Sequence, residues 1–108
     1  MKVTEKVLTF ADRAEWRAWL EGHHATEQEA WILHAKKGSA KTLLSYEEGV
    51  EEALCFGWID GQLHSIDADQ FALRYSPRRR KSVWSEINKQ RAETLIREGR
   101  MTPQAWTR

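Results

Sequence analysis

Apolar residues along the chain follow two different spacings, and the changes between them mark the expected elements. Val7 to Phe10 is a short apolar run and reads as a strand. Asp12 then supplies an N-cap with Glu15 three residues on, and Trp16, Trp19 and Leu20 recur at helical spacing until Gly22, which is expected to end the helix. Ala30 to His34 is short enough for a buried strand, although Thr26-x-x-Glu29 matches a capping box and keeps a helix as the competing reading. After the Lys36-Lys37-Gly38-Ser39 loop, Ser45-x-x-Glu48 forms a full capping box. Val50, Ala53 and Leu54 then lie on one face ahead of Gly57, so a helix is expected over 45–56.

Beyond Gly57 the spacing becomes two. Ile59 and Leu63 alternate with Asp60, Gln62 and His64, and Phe71, Leu73 and Tyr75 alternate with Ala72, Arg74 and Ser76, which predicts a hairpin over Trp58 to Ser76. A three-residue loop, Ala68 to Gln70, would set Leu63 against Tyr75 on an apolar face. His64 would then face Arg74, and Gln62 would face Ser76, on a polar face that also carries Asp60. Pro77 ends the second strand because it has no N–H for the ladder. A last helix is expected from Ser82 or Ser85 to Gly99, with Trp84, Ile87, Ala92, Leu95 and Ile96 on one side. Asn88 falls in the middle of that side with Arg91 beside it, so the two either hydrogen-bond the hairpin or line a cleft. The predicted fold is α+β. A small antiparallel sheet that includes the hairpin packs on helices near 12–22, 45–56 and 82–98, in one domain of 108 residues.

Composition narrows the function classes. The chain has 17 Lys+Arg against 16 Asp+Glu, so no global attraction to nucleic acid or membrane is indicated. Removing Arg74, Arg78, Arg79, Arg80 and Lys81 leaves 12 positive against 16 negative, so an acidic remainder carries one basic patch. The single cysteine, Cys55, excludes an intramolecular disulfide. The start MKVTEKVLTF lacks the apolar core of a signal peptide, and no apolar run approaches the roughly 20 residues of a membrane span. A cytoplasmic protein without a membrane span is therefore expected. Most of the six tryptophans should serve the core.

Candidate chemistry gathers around the basic patch. Positive side chains precede a helix start whose backbone N–H groups also favour an anion, so Arg74, Ser76, Arg78, Arg79, Ser82 and Ser85 are candidate ligand contacts. Trp58 and Trp84 are candidate platforms as well as core residues, Asp60 a candidate acceptor for an Arg, and Asn88 and Arg91 candidate cleft residues. No metal site is expected: His64 is isolated, His23-His24 adjoins Gly22, and a metal needs three or four convergent ligands. No nucleophile elbow or phosphate-cradling glycine loop is present, and Cys55 has no evident base. No catalytic residue or cofactor is assigned, and an enzyme is not the favoured reading.

Four blocks, ALCFGWIDG, the SPRR of Ser76 to Arg79, the SVWSEIN of Ser82 to Asn88 and the EGRMTP of Glu98 to Pro103, resemble the YdeI/OmpD-associated family, also labelled bacteriocin-protection proteins. The resemblance spans roughly Phe10 to Pro103. It implies a small bacterial α+β protein of no established reaction, with links to envelope stress and antimicrobial-peptide resistance. Members of that family commonly continue past the Met-x-Pro block with a Lys-rich helical segment, whereas this sequence stops at Arg108, so any function housed in that segment is expected to be lacking. Three functions follow as expectations. One is a binding module for a small phosphate- or carboxylate-bearing anion, with nucleic acid among the ligands considered. A second is a protein-interaction or stress-tolerance protein, and a third an enzyme using Asp60 with an Arg. Added salt separates the first two, because charge contacts weaken steeply with ionic strength while apolar docking does not.

Overall fold

A computed structural model describes residues 7–38, 43–78 and 85–101. The elements in chain order are β1 (Val7–Leu8), α1 (Arg13–His23), β2 (Ala30–Ala35), α2 (Tyr46–Cys55), β3 (Trp58–Ser65), β4 (Gln70–Pro77) and α3 (Glu86–Arg97). The fold is α+β. Four strands lie in the order β1-β2-β4-β3. The β2–β4 and β4–β3 pairs are antiparallel, and β1 joins β2 in parallel, with α1 as the crossover between them.

Local chemistry accounts for the helix boundaries. Asp12 caps α1 by accepting from Glu15 N–H at 3.0 Å. The helix then runs through Gly22 to His23, and a turn in which Thr26 and Glu27 N–H bond the His23 carbonyl closes it. Gly22 therefore does not end the helix as expected, because His24 N–H still reaches Leu20 O in the αR conformation. Ser45 and Glu48 make both bonds of the capping box on α2, and Gly57, at φ +76°, takes the left-handed position after its end. Ser85 caps α3 by accepting from Asn88 N–H, which selects the later of the two expected starts. Arg79, Ser82 and Trp84 lie outside the described residues.

The hairpin register departs from the expected one. Leu63 pairs with Leu73 and His64 with Ala72 around a four-residue loop, in which Ile66 and Asp67 N–H both bond Gln70 O. The Asp67 side chain accepts from Asp69 and Gln70 N–H, an Asx-type closure that the three-residue reading overlooked. Between Asp60 and Leu63 the register shifts, so Asp60 faces Tyr75. Cross-strand partners share a face, so this irregularity moves Asp60 off the expected polar face. It joins Ala30, Ile32, His34, Leu73 and Tyr75 on the side that meets the helices.

That side is the core. Trp16, Leu20, Ile32, Leu44, Leu54, Trp58, Leu73, Tyr75 and Leu95 are buried there, each Leu-sized side chain contributing about 1.5–3 kcal/mol. Trp16 stacks on Trp19, and Trp19 meets Trp58 edge-on. On α3, Ala92 and Leu95 are buried as expected, but Ile87 is exposed, because the core contact is made by the second half of the helix. A buried carboxylate ties the helices together. Glu52 accepts from Arg17 Nη1 at 3.0 Å, lies 3.3 Å from Arg13 Nε and bonds Arg100 just beyond α3. Cys55 lies beside this cluster, and burial pushes its thiol pKa up, which disfavours the reactive thiolate.

Candidate functional site

The shift between Asp60 and Leu63 opens the edge of the hairpin. A cleft of about 500 Å³ lies there, lined among the described residues by Gln28, Ile59, Asp60, Gly61, Arg74, Ser76 and Pro77. A Cβ placed on Gly61 would lie 3.6 Å from Arg74 O and 4.0 Å from Arg74 Nη1, so the arginine stem and head pass close over the strand at this point. Arg74 is part-exposed and its guanidinium has a long contact, 3.6 Å, with Glu29. Donors thus remain for a ligand. Asp60, Arg74 and Ser76, singled out from the sequence, do share this cleft.

Behind the cleft stands a side chain that the sequence reading missed. Tyr46, the first residue of α2, donates its hydroxyl to Asp60 Oδ2 at 3.1 Å. Its pKa is raised, first by desolvation and then by the neighbouring Asp60 charge, so the phenol stays protonated and holds the carboxylate in place. Arg91 lies over the Tyr46 ring, 5.6 Å from its centroid, and forms a forked pair with Glu47 at 2.8–3.1 Å. Asn88 Oδ1 accepts from Arg91 Nη1 at 2.9 Å. Asn88 and Arg91 therefore neither bond the hairpin directly nor line the cleft. They brace the residue that orients Asp60. The expected Asp60–Arg contact is replaced by Asp60–Tyr46, while Arg74 turns to Glu29.

A second unforeseen group lies under α2. His34, fully buried on β2, bonds Leu44 O through Nδ1 at 3.0 Å and Tyr75 Oη through Nε2 at 2.9 Å. A carbonyl can only accept, so Nδ1 carries the proton and neutral Nε2 accepts from the tyrosine hydroxyl. Burial lowers the His34 pKa and raises that of Tyr75 well above its ordinary value, so both groups are neutral at pH 7. Gly49 makes the space. A Cβ there would lie 2.4 Å from both His34 Cε1 and Tyr75 Oη, closer than any packed side chain allows.

Other expected contacts sit elsewhere. Trp58 is wholly buried with its indole N–H directed at His24 O, 3.4 Å away, so it is a core residue and no platform for a ligand. Arg78 is 6% exposed, with its N–H bonded to Gly57 O, and burial lowers its guanidinium pKa. The solvent-facing role expected of it passes to Arg74. Ser85 is exposed, but its hydroxyl is engaged in the α3 cap.

A family model described as Domain of unknown function (DUF8412) matches residues 8–108. The chain belongs to this family. No curated protein and no solved structure matches it. The DUF8412 match runs from the end of β1 through α3, so the cleft, its Tyr46 backing and the Glu52 cluster all lie within it. The description attaches no activity, and the resemblance to YdeI/OmpD-associated proteins draws nothing from it. Among the described residues no helix is long and apolar enough to cross a membrane, and no group of three metal-ligating side chains forms.

Proposed function

We propose that this chain is a binding module for a small phosphate- or carboxylate-bearing ligand, taken up in the cleft beside the β3 irregularity. The observation that carries the reading is the placement of Arg74 and Ser76 together on an open cleft along the strand face opposite the helices, beside Gly61. Arg74 would grip the anionic group through two N–H donors and Ser76 would add a hydroxyl. Asp60, whose carboxylate turns to Tyr46 on the helix side of the sheet, would fix the course of β3 along the cleft. The recognised molecule on this reading bears a small anionic group. Short chains of nucleic acid are an outcome to be tested.

The test is a titration with inorganic phosphate, a mononucleotide and a short oligonucleotide at low and raised salt, following amide shifts of residues 59–61 and 74–78. Shifts there that Arg74→Ala abolishes, and that Arg74→Lys weakens although the charge is kept, support the module. No ligand-induced shift in either segment overturns it. An interaction protein, including one serving tolerance to antimicrobial peptides, is the second reading. It rests on exposed Tyr46, Leu63 and Ile87, and its binding would be insensitive to salt.

A further inference from the structure

Two cavities, each of about 500 Å³, are linked by one ion pair. Arg74 lines the cleft described above, and Glu29, 3.6 Å from its Nη2, lines the other cavity. That second cavity is walled, among the described residues, by Val7, Leu8, Trp19 and Trp31 as well as Glu29. His23 and Glu27 border it too, and both are exposed, so its polar end is turned to solvent. Trp31 of β2 and Arg74 of β4 are cross-strand partners, so an aromatic wall and a guanidinium share the face opposite the helices. Ser76, two residues on, shares it as well.

The ion pair is loose. Its 3.6 Å separation exceeds the roughly 2.7–2.9 Å of a charge-assisted hydrogen bond, and its side chains are 36% and 45% exposed. Such a contact contributes little and exchanges readily for a better one. Glu29 Oε1 accepts from the Trp31 indole N–H at 3.0 Å, which fixes the carboxylate and leaves Oε2 with the long arginine contact. Together the two charges cancel. A bare anion that reaches Arg74 therefore meets the Glu29 carboxylate as well, whereas a ligand that carries its own cation satisfies both partners.

We infer that the Glu29–Arg74 pair receives a zwitterion of amino-acid type. Its carboxylate lies on Arg74 and Ser76, its ammonium on Glu29, and its apolar or aromatic side chain in the cavity walled by Val7, Leu8, Trp19 and Trp31. This rests on the anion-cleft reading and narrows it, from any small anion to one that bears a neighbouring cation. Arg74 offers two parallel N–H donors to a carboxylate, and Glu29, an acceptor only, suits the three donors of an ammonium. Burying the side chain against two tryptophans adds affinity that a ligand without one lacks. The cavity volume falls within the roughly 300–1,000 Å³ of small-molecule sites.

Titration with leucine, glycine, acetate, ethylammonium and inorganic phosphate tests it, followed by the amide shifts of residues 28–31 and 74–76 and by the Trp31 indole N–H. Leucine should bind at least tenfold more tightly than acetate or ethylammonium, and more tightly than glycine, which has nothing to place in the cavity. Glu29→Gln should weaken leucine binding tenfold or more while phosphate binds as before or better. Glu29 is exposed, so this variant is expected to keep its fold, and its amide spectrum checks that directly. Phosphate binding without a preference for leucine overturns the zwitterion site and leaves the anion cleft standing. Leucine binding that Glu29→Gln leaves untouched, or that glycine equals, overturns it as well. Silence toward all five ligands overturns both readings, and leucine binding without phosphate binding upholds the zwitterion site alone.

Discussion

Two polar clusters in this protein look alike in composition and differ in what surrounds them. At Glu52 a carboxylate 1% exposed is met on both oxygens by arginines from α1 and from the residues after α3. At Asp60 a half-buried carboxylate is held on one oxygen by Tyr46, and the arginine nearest in space to that tyrosine is spent on Glu47. The first cluster is closed. It fixes the position of three helix ends and leaves nothing for a ligand. The second is held on one oxygen only, and the opposite face of the same strand borders a cleft that holds Arg74 and Ser76. A charge placed in a protein acts as scaffold when its partners are all internal, and becomes available for recognition when one valence is left toward solvent.

Removing the closed cluster should have the largest effect. Glu52→Ala is expected to cost about 2–3 kcal/mol in urea unfolding. That is below the figure for a fully buried pair, because the three arginines are about a third exposed and can regain water. Amide shifts of the cleft with ligand should be unchanged, and a lost cleft response would erase the distinction between the two regions. Gly49→Ala follows. Its methyl would drive into His34 and Tyr75, and a loss of about 2 kcal/mol is expected, offset in part by the better helix propensity of Ala.

His34 gives a pH test. Its folded pKa is depressed by burial below 6.5, so the unfolded chain binds a proton that the folded chain refuses. The associated stability is fully present above pH 6.5 and is lost as pH falls from there through the folded value. Measured against His34→Gln, which lacks the titration, the wild-type unfolding free energy should decline more steeply over that window. Parallel curves would mean that the imidazole is not held neutral. The smallest effect is expected at the open cluster. Tyr46→Phe and Asn88→Leu should each cost under about 1 kcal/mol in stability, since both side chains can exchange their bonds with water. Tyr46→Phe should nonetheless alter the ligand response of residues 59–61, because Asp60 loses its fixed orientation.

Much of this arrangement could be read from local signals. The caps at Asp12, Ser45 and Ser85 and the alternating hairpin runs specify the helices and strands through short-range chemistry. The irregularity between Asp60 and Leu63 carries a faint mark, Gly61 inside a strand, but its consequence depends on the partner strand's register, which the alternation alone assigned differently. Asp60, Arg74 and Ser76 were legible as a group because they lie on one hairpin. Tyr46 was not, because it serves the site from a helix brought in by tertiary packing. Glu52 lies on a face otherwise read as apolar. Its partners come from residues 13, 17 and 100, and only the spacing of Arg13 and Arg17, one helical turn apart, hinted at a shared target.

The most direct test of the account measures ligand response and unfolding free energy on the same three samples: wild type, Arg74→Ala and Glu52→Gln. Arg74→Ala should keep its stability within about 0.5 kcal/mol, as an exposed substitution does, and lose the phosphate- or nucleotide-induced shifts at residues 59–61 and 74–78. Glu52→Gln should do the reverse, unfolding at lower urea while binding as the wild type binds. If both variants lose stability and binding together, or if Arg74→Ala binds normally, the open cluster is scaffold like the closed one and the cleft is not a site.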